Sequence, residues 1–261
     1  MPKHRRLWNA EIHRKHVREG RGRGSGSGYQ PWICVQDFAS RGVVSRVKGY
    51  VTGRVHHLLS NNELAYFYIL DRSELVTDIR EQYPLSDLEC AVEIAAKAGI
   101  KYPTDNTSGY PYILTCDFMI TTKEGLKART IKLTSELNNA RTLEKLEIER
   151  RYWMKIGIDW KIVTERDIPF QKAKNIEWLY TAHGINSTDI DSEIQVYAQA
   201  MMIRLLLSGS FSIIESSQVV EQEFTLMRGM GIQLFKRLVL DRKISINLNQ
   251  PLDLNARGVA A

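Results

Sequence analysis

Tyr112-Ile-Leu-Thr-Cys-Asp-Phe-Met-Ile120, then Thr121-Thr-Lys-Glu-Gly-Leu126 and Lys127-Ala-Arg-Thr-Ile-Lys-Leu-Thr134, reads as two strands joined by a tight reversal. Both arms are rich in β-branched and aromatic residues, and Lys123, Glu124 and Gly125 form the polar, flexible interruption between them. A reversal centred between Glu124 and Gly125 sets Asp117 opposite Lys132, and directly opposed Cβ atoms lie about 5 Å apart. Side chains alternate along a strand, so Thr130 shares the Lys132 face while Ile131 points into the core. A carboxylate, a hydroxyl and an ammonium are thus expected on one patch. Taken alone, an opposed Asp and Lys is more often a surface ion pair worth under about 1 kcal/mol.

Working outward, Ser60-Asn-Asn-Glu63 has capping-box spacing and opens a helix, which by itself accounts for Glu63. Trp32 to Phe38 and Val43 to Tyr50 alternate as two strands around a turn at 40–42, Val76 to Tyr83 is a further strand, and Leu88 to Lys97 is a helix ended by Gly99. After the hairpin, Arg141 to Lys155 is a helix packing through Leu143, Leu146, Trp153 and Met154, and Asp159 to Thr164 is a strand. This alternation predicts an α/β domain with a mixed sheet over 31–168. A connecting helix from Pro169 and a boundary at 183–188 lead into a mainly helical segment, so 169–261 is expected to be a second domain. Helices over 193–207, 217–227 and 232–240, with a short strand at 244–248, suggest a winged helix. Residues 180–261 carry seven basic and eight acidic groups, which favours protein contact over base readout there.

The net charge of +6 is concentrated in one place. Residues 1–30 hold Lys3, Arg5, Arg6, Arg14, Lys15, Arg18, Arg21 and Arg23 against Glu11 and Glu19, which is the whole surplus of the chain. A short basic helix over 9–19 followed by a glycine-dense connector is expected to form a flexible cationic arm suited to phosphate contacts. No apolar run approaches the roughly 20 residues of a membrane span. Three cysteines without metal-ligand spacing suit a reducing cytoplasm. The adjacent His56 and His57 have no cysteine at zinc spacing, and neither a phosphate loop nor a hydrolase elbow is present.

An acidic residue on one strand, a lysine across a hairpin and a glutamate on an earlier helix form the arrangement of nucleases that cut DNA with bound magnesium. Magnesium takes hard oxygens, usually one or two carboxylates with carbonyls and waters. Asp117 and Glu63 would provide the carboxylates and Ile131 its backbone carbonyl, with Mn2+ as a substitute ion. Lys132 would orient the attacking water or stabilise charge developing on the phosphate.

Gly53-Arg-Val-His-His-Leu-Leu-Ser60, Glu63-Leu-Ala65, Asp78-Ile-Arg-Glu-Gln82 with Pro84, Arg141-Thr-Leu-Glu-Lys-Leu-Glu147, Glu149-Arg-Arg-Tyr-Trp153 and Asn175-Ile-Glu-Trp-Leu-Tyr180 together resemble the TnsA family, the endonuclease subunits of bacterial heteromeric transposases. Glu19-Gly-Arg-Gly22 and Pro31-Trp32 fit the same pattern, and the resemblance runs from about Glu11 to Tyr180. It implies a restriction-endonuclease-like catalytic domain in which Glu63, Asp117 and Lys132 match the catalytic residues and Glu149 an acidic residue on a flanking helix. It also implies cleavage at the 5′ ends of a transposon, an integrase-type transposase partner, an AAA+ ATPase regulator, and a partner-binding C-terminal domain. Thr130 departs from the pattern, since Glu, Asp or Gln usually precedes the lysine by two residues; a hydroxyl there is expected to reach the metal only through a water. The competing readings are a non-catalytic assembly subunit and a free-standing restriction-like enzyme.

Overall fold

The computed structural model describes residues 8–37, 43–184 and 192–257. Arg5, Arg6, the expected turn at 40–42 and the 185–188 part of the expected boundary lie outside the described residues. The chain divides into two compact units, Met1–Ile168 and Pro169–Ala261. No helix among the described residues is long and apolar enough to cross a membrane.

The first unit begins with α1 (Ala10–Arg18), capped by the Asn9 side chain, which accepts the Ile12 N–H at 2.9 Å. Contrary to the expected flexible arm, the segment through Gly28 is folded onto the domain. His13 meets the Tyr110 hydroxyl at 2.9 Å, and the rings of Trp8 and His16 pack against Trp32. The glycines there make turns rather than slack. Gly22 has φ +75, and a Cβ at that position would lie 2.4 Å from Pro84. Glycine density in this stretch encodes close approach, the other use of a residue without a side chain.

The next element also departs from expectation. Residues 32–37, the described part of the first expected strand, do not form one; β1 (Ser45–Lys48) pairs antiparallel with β2 (Val55–Leu58) instead. The pairing is fixed by a contact distant in sequence. Glu81 is fully buried and accepts from both Arg54 terminal nitrogens, from the His57 N–H at 3.0 Å and from His56 Nδ1 at 2.8 Å.

α2 (Asn61–Asp71), β3 (Val76–Pro84), α3 (Leu88–Lys97), β4 (Thr115–Thr122), β5 (Gly125–Ile131), α4 (Ala140–Lys155) and β6 (Asp159–Val163) complete the unit. The sheet order is β3-β4-β5-β6, antiparallel except for the parallel β5–β6 pair, which α4 connects. Leu85, Ala91, Ile94, Ala95, Met119, Ala128, Ile148, Tyr152 and Trp153 form the core between the sheet and α3 and α4. The expected packing face of α4 needs correction, because Leu143 and Met154 are exposed, while Ile148, Glu149 and Tyr152 join Leu146 and Trp153 in the interior.

The second unit consists of α5 (Phe170–Tyr180), α6 (Ser192–Leu207), α7 (Ile213–Glu223) and α8 (Met230–Leu240). Among the described residues it contains isolated bridges but no strand, so the wing expected at 244–248 is not formed. Instead the Leu248 and Gln250 carbonyls each accept from the Asn175 side-chain amide at 2.7 Å, which ties the end of this segment to α5.

Candidate active site

The hairpin register differs from expectation by two residues. Thr122 pairs with Gly125 and Phe118 with Arg129, so the loop is Lys123-Glu124, and the register, if continued, sets Asp117 against Thr130 rather than Lys132. Gly125 allows the tighter loop by adopting φ +125, which a residue with a Cβ rarely takes. A shift of two preserves which face each side chain occupies. Asp117 and Thr130 therefore remain on the same side as Met119 and Ala128.

Asp117 and Lys132 still meet. Asp117 Oδ2 accepts the Ile131 N–H at 2.6 Å and lies 4.0 Å from Lys132 Nζ. The Lys132 N–H bonds to the Val163 carbonyl at 3.0 Å, so β6 holds the lysine in place. Lys132 Nζ also donates to the Ile131 carbonyl at 2.9 Å. From the other side comes Glu63, in the first turn of α2. Ser60 caps that helix as expected, accepting the Glu63 N–H at 3.2 Å, and Glu63 accepts from the Ser60 hydroxyl at 2.9 Å and the Leu59 N–H at 3.0 Å. The capping role does not exhaust the carboxylate. Gln82 Nε2 donates to Glu63 Oε2 at 3.2 Å and to Asp117 Oδ1 at 3.4 Å, so both acids converge on a single nitrogen.

Thr130 is 2 % exposed; its hydroxyl donates to Glu149 Oε2 at 2.6 Å and accepts from Trp160 Nε1 at 3.1 Å. The expectation that Thr130 reaches a metal through a water is replaced by one in which it holds Glu149. Glu149 itself is buried.

Burial sets the electrostatics. Desolvation, with Asp117 adding to it, pushes Glu63 up to about 7, and burial also raises Asp117 despite Lys132. Burial pushes Glu149 up to about 8 against the bond from Thr130. Lys132 shows the opposite balance. Burial disfavours its ammonium, but Asp117, Glu149, Glu136 and Glu63 outweigh that and hold its pKa above the ordinary lysine value. It therefore stays charged at neutral pH and acts as an electrostatic group rather than a base. A recess of about 240 Å³ beside it is lined by Ser60, Asn61, Asn62, Leu133 and Glu136.

Among the described residues, no group of three or more His, Cys, Asp or Glu is arranged to hold a metal ion. The donor chemistry nevertheless fits magnesium, which commonly takes only one or two carboxylates and retains its waters. Two desolvated carboxylates, with Asp117 further raising Glu63, form a site that gains from a cation.

That conflict between charges has a measurable consequence. A carboxyl raised above its unfolded value contributes most below that value and loses the contribution as pH rises through the folded one, here about 7. Glu63→Gln keeps a side-chain oxygen able to accept at the start of α2 and removes the charge. Without divalent ions at pH 8 it is expected to melt roughly 2–6 °C above wild type, and magnesium should raise the wild-type melt at the same pH. A variant melting below wild type under those conditions would contradict the charge conflict.

A mixed sheet that gathers two carboxylates and a lysine at one end of a hairpin is the build of an α/β nuclease domain. The family model described as TnsA-like endonuclease N terminal matches residues 73–165, and that described as TnsA endonuclease C terminal matches residues 167–248. The chain is 35% identical over 244 residues to the Escherichia coli protein named Transposon Tn7 transposition protein TnsA, covering 92% of this chain and 87% of that one. The chain belongs to the TnsA family of transposition endonuclease subunits.

Proposed function

We propose that this chain hydrolyses one phosphodiester at each 5′ end of a transposon, on the non-transferred strand, during cut-and-paste transposition. The convergence of Glu63 and Asp117 on one point, with Lys132 alongside, is the observation that supports this reading. Glu63, Asp117 and the Ile131 carbonyl would hold Mg2+, or Mn2+ in its place. Such an ion polarises a phosphate oxygen and acidifies water. Lys132 keeps its proton and stabilises the negative charge that grows on the phosphate oxygens. Asn61 and Asn62, at the N-terminal end of α2, present that helix's positive pole to the recess in which the phosphate would sit. Thr130, on the same face as Asp117, ties β5 to α4 through its hydrogen bond to Glu149.

Partner proteins complete the reaction in this reading: an integrase-type transposase for the 3′ ends and an AAA+ ATPase as regulator. Exposed Val196, Tyr197 and Met227 on the second unit, in a segment without excess basic charge, favour its use as a protein-docking surface. Strand mapping in a reconstituted excision assay tests the proposal. Cuts are expected at the 5′ ends only when the partners are present; efficient cutting by the purified chain with magnesium alone would favour the free-standing enzyme.

The DNA contact is assigned to α1 and the turn after it, with one revision. Arg14, Lys15, Arg18 and Arg23 are exposed, but Arg21 is engaged internally, donating to Asp37 at 2.6 Å and Glu19 at 2.9 Å. Replacing Arg14, Lys15 and Arg18 together with alanine should weaken DNA binding and lower the magnitude of the log affinity against log salt slope by up to about 3. An unaltered slope would take α1 off the DNA.

A further inference from the structure

Gln82 lies next to the fully buried Glu81 on β3, and it too is buried, at 3 % exposure. Successive residues of a regular strand point to opposite faces. The two are buried in succession at a residue whose φ is +49, a backbone state that residues with a Cβ adopt only at a cost. The surroundings hold that state in place: the Gln82 carbonyl accepts the Trp32 N–H at 3.3 Å. The turned residue sends its side chain between Glu63 and Asp117. The hydrogens on Nε2 go to the two carboxylates at 3.2 and 3.4 Å, and Oε1 accepts from the Thr115 hydroxyl at 3.3 Å. The two carboxylates fix which way the amide faces, since a flipped amide would set its oxygen against both, and the Thr115 hydroxyl donates to the oxygen left on the other side. A glutamine that merely filled space would require neither the strained backbone nor three polar partners.

We infer that Gln82 is a positioning residue that sets the spacing and orientation of the Glu63 and Asp117 carboxylates for one shared divalent cation. The inference rests on the metal reading proposed above. Gln82 makes no contact with the reacting phosphate in this role. It acts through the two acids, as groups behind metal ligands commonly do.

Titration of the full chain with Mn2+, followed by electron paramagnetic resonance, tests the inference without any cleavage assay. Gln82→Leu removes the amide at similar size. Gln82→Gly removes it while accommodating positive φ freely, so it keeps the test valid if the leucine variant fails to fold. Both are expected to bind Mn2+ about 10–100-fold more weakly than wild type and to give an altered bound-ion spectrum. Thr115→Val, which removes only the bond to the amide oxygen, is expected to show a smaller loss. Asp117→Ala serves as the reference. If it abolishes Mn2+ binding while both Gln82 variants bind within about threefold of wild type, the Gln82 inference is overturned and the metal reading stands. If Asp117→Ala binds Mn2+ as tightly as wild type, both are overturned.

Discussion

Asp117→Ala and Lys132→Ala are each expected to slow cleavage of the non-transferred strand by about 10³-fold in single turnover, with assembly of the transposition complex intact. The two losses have different origins. Asp117 is a proposed metal ligand and also ties β4 to β5 through the Ile131 N–H, so its removal empties the cation site and loosens its platform. The Lys132 ammonium lowers the pKa of Asp117, Glu63 and Glu149 alike, and without it the charge growing on the phosphate oxygens loses the ammonium proposed to stabilise it. Partner-dependent 3′-end cutting should continue in both variants, because that chemistry is assigned to another protein. Cleavage within tenfold of wild type in both would remove this pair from the active site. Loss of assembly together with cleavage would instead favour the reading of an assembly subunit.

The second large effect is structural. Glu81→Gln is expected to cost about 3–5 kcal/mol, a fall in melting temperature of order 10 °C. Glu81 is fully buried and its partners Arg54 and His56 are nearly so; a neutral amide leaves Arg54 charged and poorly matched in the interior. Burial pushes the Glu81 carboxyl up, but the bonds from Arg54 and His56 outweigh it and hold it down at about 2. The sign follows from that depression. The stabilisation, about 3 kcal/mol, is present above the unfolded carboxyl value near 4.5 and is lost as pH falls from there toward 2. Melts between pH 7 and 3 should show a steep acid limb in wild type and a shallower one in the variant. Equal melting temperatures and equal acid slopes would show that this network contributes little.

What could be read from the residues alone was whatever is encoded within a few positions of itself. Ser60 and Glu63 mark the start of α2 because capping is local, and α3 and α4 follow their apolar spacing and end signals. The hairpin was legible as a pair of strands, but its register depended on whether Gly125 served as a loop residue or a strand residue, which only its φ decides. The β1–β2 pairing escaped because Glu81 organises it from more than 20 residues away. Glu149 was expected beside the site, but its bond to Thr130 was not legible, because helix periodicity does not show which partner awaits a side chain. For Gln82 a signal did exist: β3 carries Asp78, Arg80, Glu81 and Gln82 in a strand that reads as interior, and so many polar groups there need partners.

The bond from the Lys132 N–H to the Val163 carbonyl also bears on the chain as it is being made. Residues synthesised up to Lys132, just past the end of β5, already include both acids and the lysine, and the hairpin is local enough to form at once. The strand that holds Lys132 emerges only about 30 residues later, after α4 has brought Glu149 to its place. At translation speeds of about 5–20 residues per second this leaves an interval of seconds. During it a ribosome-bound fragment carries the residues proposed to cut DNA but not the edge that holds Lys132.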